Sequence, residues 1–171
     1  MKAPKITRSE LRTGDTLLYE KTIAVGRIEQ IFTRSKFNHS SLVEVKEDGI
    51  LCYEAIFPRV VCRPIEQSIV HTVNVVVKRP RLSFDAAKYV ELSKSLVGKR
   101  YDVGGLLAQI PHQLWGGWIG NKSMKKVYCS KGNAWVWNQL CQLYPDWYKV
   151  SPDELFEDLL DFDTYILELP V

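Results

Sequence analysis

The sequence lacks the cysteine spacings that mark a zinc site or a dithiol redox motif. Its four cysteines are Cys52, Cys62, Cys129 and Cys141, and none stands in a Cys-x-x-Cys pair. If Cys129 and Cys141 share one helix, they lie about 18 Å apart, which is too far for a disulfide. No histidine or carboxylate cluster has metal-ligand spacing. We therefore expect free thiols, no metal and no other cofactor.

Long apolar runs are also missing. No segment reaches the roughly 20 apolar residues of a transmembrane helix, and residues 1–5 lack the apolar stretch of a signal peptide. These absences predict a protein without a transmembrane segment in the reducing cytoplasm. A chain without an export signal is also compatible with a phage- or virus-encoded protein that relies on lysis.

The excess of positive charge is small, but it is unevenly distributed. Lys and Arg number 23 and Asp and Glu number 20, a net charge of +3. Seven acids and no base lie between residues 151 and 168, so residues 1–150 carry a local balance of +10. These 150 residues could face an anionic surface, although a solvated surface is the favoured explanation of the charge. Nucleic acid is an unlikely partner, because no basic run is interleaved with aromatic residues.

The order of the patterns predicts an α+β fold in a single domain, residues 1–171. Strands are expected at residues 15–19, 41–46, 50–57, 60–63, 71–78 and 165–169, whereas residues 23–32 are ambiguous between helix and strand. Helices are expected after a cap at Ser83 or Asp85 up to Gly98, from Cys129 to about Tyr144, and over 152–160. A short helix and an irregular loop are expected over 101–120. Strands mostly precede helices, which favours α+β over alternating β-α-β.

Three residues combine reactive chemistry with suitable positions. Cys129 is expected at the first position of a helix, where the helix dipole favours the thiolate and free N–H groups can stabilise an oxyanion. His39 precedes a strand, and Glu54 lies on the next one. With Asp48-Gly49 as the turn, Glu54 opposes Val43, and His39 lies about 13 Å further along. A bulge, a different turn or curvature of the sheet would be needed to join His39 and Glu54. Packing roles for Cys129 and His39 remain open, and His71 or His112 could replace His39.

Five stretches in order resemble the circularly permuted branch of the NlpC-type, papain-like cysteine hydrolases, the YiiX-like family. They are L-R-T-G-D-T-L-L-Y at 11–19, F-N-H-S-S-L-V-E-V at 37–45, Y-E-A at 53–55, V-G-K-R-Y-D-V-G-G at 97–105 and V-Y-C-S at 127–130. The resemblance implies a small antiparallel barrel-like sheet packed against helices. It also implies that Cys129 is the nucleophile, His39 the general base and Glu54 the residue that orients the imidazole.

The residues around the cysteine suggest the rest of a site. Tyr128, Ser130 and Lys131 could line it, as could Trp115 and Trp118 among the preceding glycines, although packing of these tryptophans in a loop is the favoured interpretation. The chain departs from the family at Lys131, Gly132 and Asn133.

We therefore expect an amidase, peptidase, esterase or acyltransferase that acts on a small-molecule, peptide or lipid acyl substrate. The alternative is a catalytically lapsed papain-like domain that binds a lipid surface or a protein.

Overall fold

The alternating segments of the sequence form the strands of one mixed sheet. The structure is a computed structural model that describes residues 3–21, 37–108, 122–151, 154–155 and 162–169. The strands are β1 Lys5–Ile6, β2 Thr16–Lys21, β3 His39–Lys46, β4 Gly49–Ile56, β5 Arg59–Pro64, β6 Thr72–Pro80, β7 Arg100–Tyr101, β8 Lys126–Val127 and β9 Phe162–Leu167. The helices are α1 Ile65–Ser68, α2 Ala86–Leu96, α3 Val103–Leu107 and α4 Cys129–Cys141, with 3-10 turns at Arg8–Glu10 and Trp147–Lys149.

The sheet is larger than the small antiparallel barrel that the resemblance implies. Among the described residues its order is β1-β9-β6-β2-β3-β4-β5-β7-β8. The pairs β1–β9 and β7–β8 are parallel, and the pairs between them are antiparallel. The α+β class is confirmed, but the sheet is mixed and its two outer pairs are very short. The ambiguous segment 23–32, all of residues 109–121 and most of the helix expected over 152–160 lie outside the described residues.

The β3–β4 hairpin has a different register from the predicted one. Lys46 pairs with Gly49, so the turn residues are Glu47 and Asp48 rather than Asp48 and Gly49. Gly49 begins β4 with a φ of 148°, a backbone conformation that glycine adopts without strain. Glu54 consequently opposes Ser41 instead of Val43. The predicted separation of His39 from Glu54 is wrong, because the shift of two residues brings them into diagonal reach on one face.

The sheet buries an apolar cluster on each face. One cluster holds Leu18, Leu42 and Tyr53 together with residues of α2 and α4, including Leu96 and Trp137. The other holds Leu17, Tyr19, Val43 and Cys52 with Ile65 of α1. Successive residues of a strand alternate between these two environments, as period-two patterning requires. None of the helices among the described residues is both long and apolar enough to cross a bilayer.

The helix boundaries follow from local sequence signals. Asp85 is the N-cap of α2, and its carboxylate accepts a hydrogen bond from the Lys88 amide at 3.0 Å. Gly98, with a φ of 83°, follows the end of this helix. Asp102 caps α3 by accepting from the Gly105 amide at 2.9 Å. These observations confirm the predicted cap and stop of α2.

Gly132 allows the first turn of α4 to pack closely against its neighbours. A Cβ atom at this position would lie 2.9 Å from Cγ1 of Val127 and 3.4 Å from Cδ1 of Leu96. The first distance is too short for two carbon atoms, so a side chain would push α4 away from β8 and α2. Packing therefore explains a glycine that helix propensity alone disfavours.

We predict that Gly132→Ala destabilises the protein, although alanine is the better helix former by about 1 kcal/mol. Overpacking costs about 1–3 kcal/mol and is expected to exceed that gain. Urea unfolding at equilibrium measures the difference. Gly104→Ala in α3 is the matched control, since its Cβ would meet nothing nearer than 3.9 Å. An equal gain in stability for both variants would contradict the packing argument.

Candidate active site

His39 and Glu54 form a buried pair on one face of the sheet. Nε2 of His39, the first residue of β3, is hydrogen-bonded to Oε2 of Glu54 on β4. Glu54 is 2% exposed and His39 is 8% exposed. Both side chains lie on the face that carries Tyr19 and Val43, and the rings of Tyr19 and His39 have centroids 5.4 Å apart. The structure therefore joins two of the three predicted catalytic residues.

Two further residues hold the other oxygen of Glu54. Nε of Arg63 on β5 donates to Oε1, and Ser68 Oγ at the end of α1 donates to the same oxygen at 2.6 Å. Neither Arg63 nor Ser68 lies in a sequence motif that predicts this contact. Arg63 could have been found from the ladder, because it pairs with Cys52 and so lies diagonally across from Glu54. The position of Ser68 near Glu54 depends on the turn of the chain through α1, and no local sequence pattern predicts that turn.

These contacts set the charge states of the pair. Burial alone would raise the pKa of Glu54, but the hydrogen bonds from His39, Arg63 and Ser68 outweigh it and leave that pKa far below its ordinary value. Burial lowers the pKa of His39, and its bond to Glu54 opposes that effect only in part. The pair is therefore an ionised carboxylate and a neutral imidazole near pH 7. A neutral imidazole held by a carboxylate can accept a proton.

Cys129 is the first residue of α4, as predicted. Tyr128 is the N-cap residue with extended backbone, and the first N–H groups of a helix have no partner within the helix itself. Asn133, one turn later, donates to the carbonyl of Cys129 at 2.9 Å and to Oγ of Ser40 at 3.1 Å. The first turn of α4 is thus tied to the residue that follows His39. Cys129 is 2% exposed.

The thiol and the imidazole approach β3 from different sides. Ser40 and Leu42 face α4, whereas the alternation of the strand turns His39 and Ser41 to the opposite face. Lys21, at the end of β2, lies close enough to Glu54 and Arg63 for their charges to act on its ammonium, and its own charge acts on His39. The pairing of Cys129 with His39 stays a prediction.

The side chains expected to line the site are engaged inside the fold. Tyr128 donates from its hydroxyl to the Tyr148 carbonyl at 3.0 Å, and Ser130 donates to the Val150 carbonyl at 2.7 Å. Lys131 is 1% exposed, and its ammonium binds Asp102 at 2.8 Å and the Ser123 carbonyl at 3.0 Å. The Lys131 side chain is therefore held in a buried ion pair with Asp102, and its predicted lining role stays a prediction.

Of the remaining candidate residues, three lie outside the described part of the chain and one lies within it. Trp115, Trp118 and His112 lie outside the described residues, so their predicted roles stay predictions. His71 is exposed with a φ of 57° immediately before β6. It belongs to a turn that joins α1 to β6, which does not support it as a replacement for His39.

Comparisons with known proteins show the fold. No family model and no curated protein matches the chain. Among solved structures, the chain is similar to the crystal structure of the metalloprotein yiiX from Escherichia coli O157:H7, DUF1105. The TM-score is 0.60 and the identity 18%, with 91% of this chain and 88% of that chain covered.

We predict that the His39–Glu54 pair makes stability fall as the pH drops below about 6.5. The pKa of His39 is lowered in the folded state, so the unfolded chain takes up the proton first and stability is lost on acidification. His39→Gln removes this titrating group. The slope of the free energy of unfolding against pH should therefore fall by up to about 1.4 kcal/mol per pH unit. Urea unfolding between pH 7.5 and 5 measures it. Equal slopes for both proteins would show that His39 titrates normally.

The similarity covers nearly the whole of both chains. The YiiX-like part of the resemblance is thereby confirmed at the level of the fold, and the permuted papain-like part stays a prediction. The described chain has the fold of yiiX, an α+β arrangement in which one mixed sheet carries the His39–Glu54 pair.

Proposed function

We propose that the protein is a cysteine hydrolase or acyltransferase in which Cys129, His39 and Glu54 act together on an amide or ester. The observation that carries the proposal is the buried carboxylate–imidazole pair, in which Glu54 is kept ionised and His39 neutral. A structural pair at the start of a strand gains little from a neutral histidine. A general base requires that state.

The hydrogen bond also selects the nitrogen that would take the proton. Glu54 occupies Nε2 of His39, so Nδ1 is the nitrogen available to Cys129. Proton transfer to Nδ1 would leave a thiolate at Cys129, and the positive end of the α4 dipole stabilises negative charge there. Glu54 would in turn stabilise the imidazolium that forms.

The reaction then follows in two steps. The thiolate attacks the acyl carbon, and backbone N–H groups at the start of α4, which have no acceptor within the helix itself, stabilise the oxyanion. The imidazolium returns the proton to the leaving amine or alcohol as the tetrahedral intermediate collapses. Water, or another nucleophile in an acyl transfer, releases the acyl group from Cys129 by the reverse sequence. Peptide, small-molecule and lipid acyl groups all suit this chemistry.

The proposal uses no metal ion. The similar crystal structure is described as that of a metalloprotein. Within the described ranges of this chain, however, no three His, Cys, Asp or Glu side chains are grouped in a way that could hold a metal. The residues around His39 and Glu54 therefore do not fit a metal centre, since the remaining partners of Glu54 are an arginine and a serine.

A second candidate function is binding without catalysis, and one observation favours it. His39 faces one side of β3 and the first turn of α4 packs on the other, so a lapsed site could keep both features for stability alone. In that case Cys129 would be a small buried packing residue. The two candidates differ in the reactivity of the thiol.

We predict that Cys129 is alkylated by iodoacetamide at about pH 6.5, where the other three thiols are protonated. Burial raises the pKa of Cys52 to about 11, and it also raises the pKa of Cys62 and of Cys141. Mass spectrometry of digested protein should show Cys129 labelled at least about tenfold faster than each of these. His39→Gln should abolish the preference.

The exposed Cys62 is the internal control for this experiment, because reagent reaches it without a conformational change. Labelling of Cys62 ahead of Cys129 at every pH would favour the binding module. Preferential labelling that survives in His39→Gln would show a reactive thiol that does not depend on the imidazole.

Activity provides a second prediction. In a screen of p-nitrophenyl acyl esters and acyl amides, Cys129→Ala should lose turnover entirely, and Glu54→Gln should lower kcat by about 100-fold or more. Cys141→Ala, late in the same helix, should retain wild-type rates. Equal activity of Cys129→Ala and wild type would remove the cysteine from the mechanism.

A further inference from the structure

Lys21 is buried beside the His39–Glu54 pair without a counter-ion of its own. The residue is 8% exposed, and its ammonium lies 4.9 Å from the centroid of the Tyr19 ring. Within the parts of the chain that the structure describes, this ammonium makes no hydrogen bond and no ion pair; only the backbone of Lys21 is bonded, to the Asn38 amide. A buried ammonium is normally paired, because its desolvation is costly.

Lys21 lies next to the His39–Glu54 pair of the proposed reaction. The ladder of β2 with β6 shifts its register between Glu20 and Lys21, but the Lys21 ammonium lies over the Tyr19 ring, on the face that carries the Tyr19 and His39 rings. Arg63 is also on this face, and only its Nε is bonded to Glu54 among the described contacts. Two cations thus border the imidazole.

The charges around the imidazole do not cancel. Lys21 and Arg63 contribute two positive charges, and Glu54 contributes one negative charge. Transfer of a proton from Cys129 to His39 creates one charge of each sign, so it leaves the surplus at +1. Neither state of the proposed catalytic pair can neutralise Lys21. Burial lowers the pKa of Lys21, and an anion from outside these residues would offset the surplus and keep the ammonium charged.

We propose that Lys21 forms a subsite for an anionic group of the substrate, a carboxylate or a phosphate, adjacent to the scissile acyl bond. Lys21 supplies the charge, and the unused N–H groups of Arg63 supply directed donors. This inference rests on the proposed function for calling the anion part of a substrate. The anion binding itself is independent of Cys129.

The test is anion binding followed at the histidines by NMR. The chain has three histidines, and the His39 signal is identified by its loss in His39→Gln. Sodium phosphate and sodium acetate are titrated separately at constant ionic strength. We expect the ring signals of His39 to shift to saturation, whereas those of exposed His71 follow only the bulk salt.

Two variants assign the effect to the charge of Lys21. Lys21→Met should weaken binding by at least about tenfold, and Lys21→Arg should keep it within about threefold. Lys78→Met is the matched control, because Lys78 is 6% exposed on β6 but has Thr164 as a partner at 3.0 Å. It should bind like wild type. Thermal unfolding of each variant checks the fold, and Lys21→Gln replaces Lys21→Met if the latter does not fold.

The results of the titrations distinguish the kind of anion that binds and test whether the subsite exists. Binding of phosphate alone points to a phosphorylated or phospholipid acyl substrate, and equal binding of acetate points to a carboxylate-bearing one. No saturable shift at His39, or the same affinity in Lys21→Met and wild type, would overturn the subsite. Running the titration in Cys129→Ala keeps the tests apart, since anion binding there would survive even if hydrolysis proved not to need the cysteine.

Discussion

The ionised carboxylate of Glu54 is the group on which the arrangement of the site depends. It is almost fully buried, and a buried charge is tolerated only when hydrogen bonds and opposite charge replace its hydration. Those partners come from three other elements, namely His39 on β3, Arg63 on β5 and Ser68 on α1. Because each partner satisfies the same group, the positions of β3, β5 and α1 around β4 are coupled. The carboxylate therefore orients the imidazole and also fixes the strands that carry it.

The same reasoning explains why the residues after Cys129 depart from the family pattern. Lys131 is neutralised by Asp102, Gly132 lets α4 approach β8, and Asn133 ties the helix start to Ser40. Each departure has a partner elsewhere in the chain. These residues therefore give no indication of a lapsed site, since their identities follow from packing and charge neutralisation in this particular fold.

Two buried lysines illustrate how tertiary contacts separate structural from functional charge. Lys131 and Lys21 are both removed from solvent, but only Lys131 has a carboxylate within bonding distance among the described residues. Lys131 belongs to a structural ion pair near the start of α4. Lys21 faces the His39 side of the sheet, where the surrounding charges sum to a positive value. The sequence alone predicts a functional role for Lys131, which lies beside the cysteine, and predicts none for Lys21.

The sequence by itself determined the α+β class, the approximate positions of the longer strands, a helix cap at Ser83 or Asp85 and the position of Cys129 at a helix start. These follow from period-two alternation and from the preferences of single residues at helix ends, which are local. It did not determine the β3–β4 register, because a shift of two residues leaves every side chain on the same face and so leaves the hydrophobic pattern unchanged. The tertiary structure decided that register, and with it the contact of His39 with Glu54. It also decided the roles of Arg63, Ser68 and Lys21, because the charge that surrounds a buried group is set by residues distant in the chain.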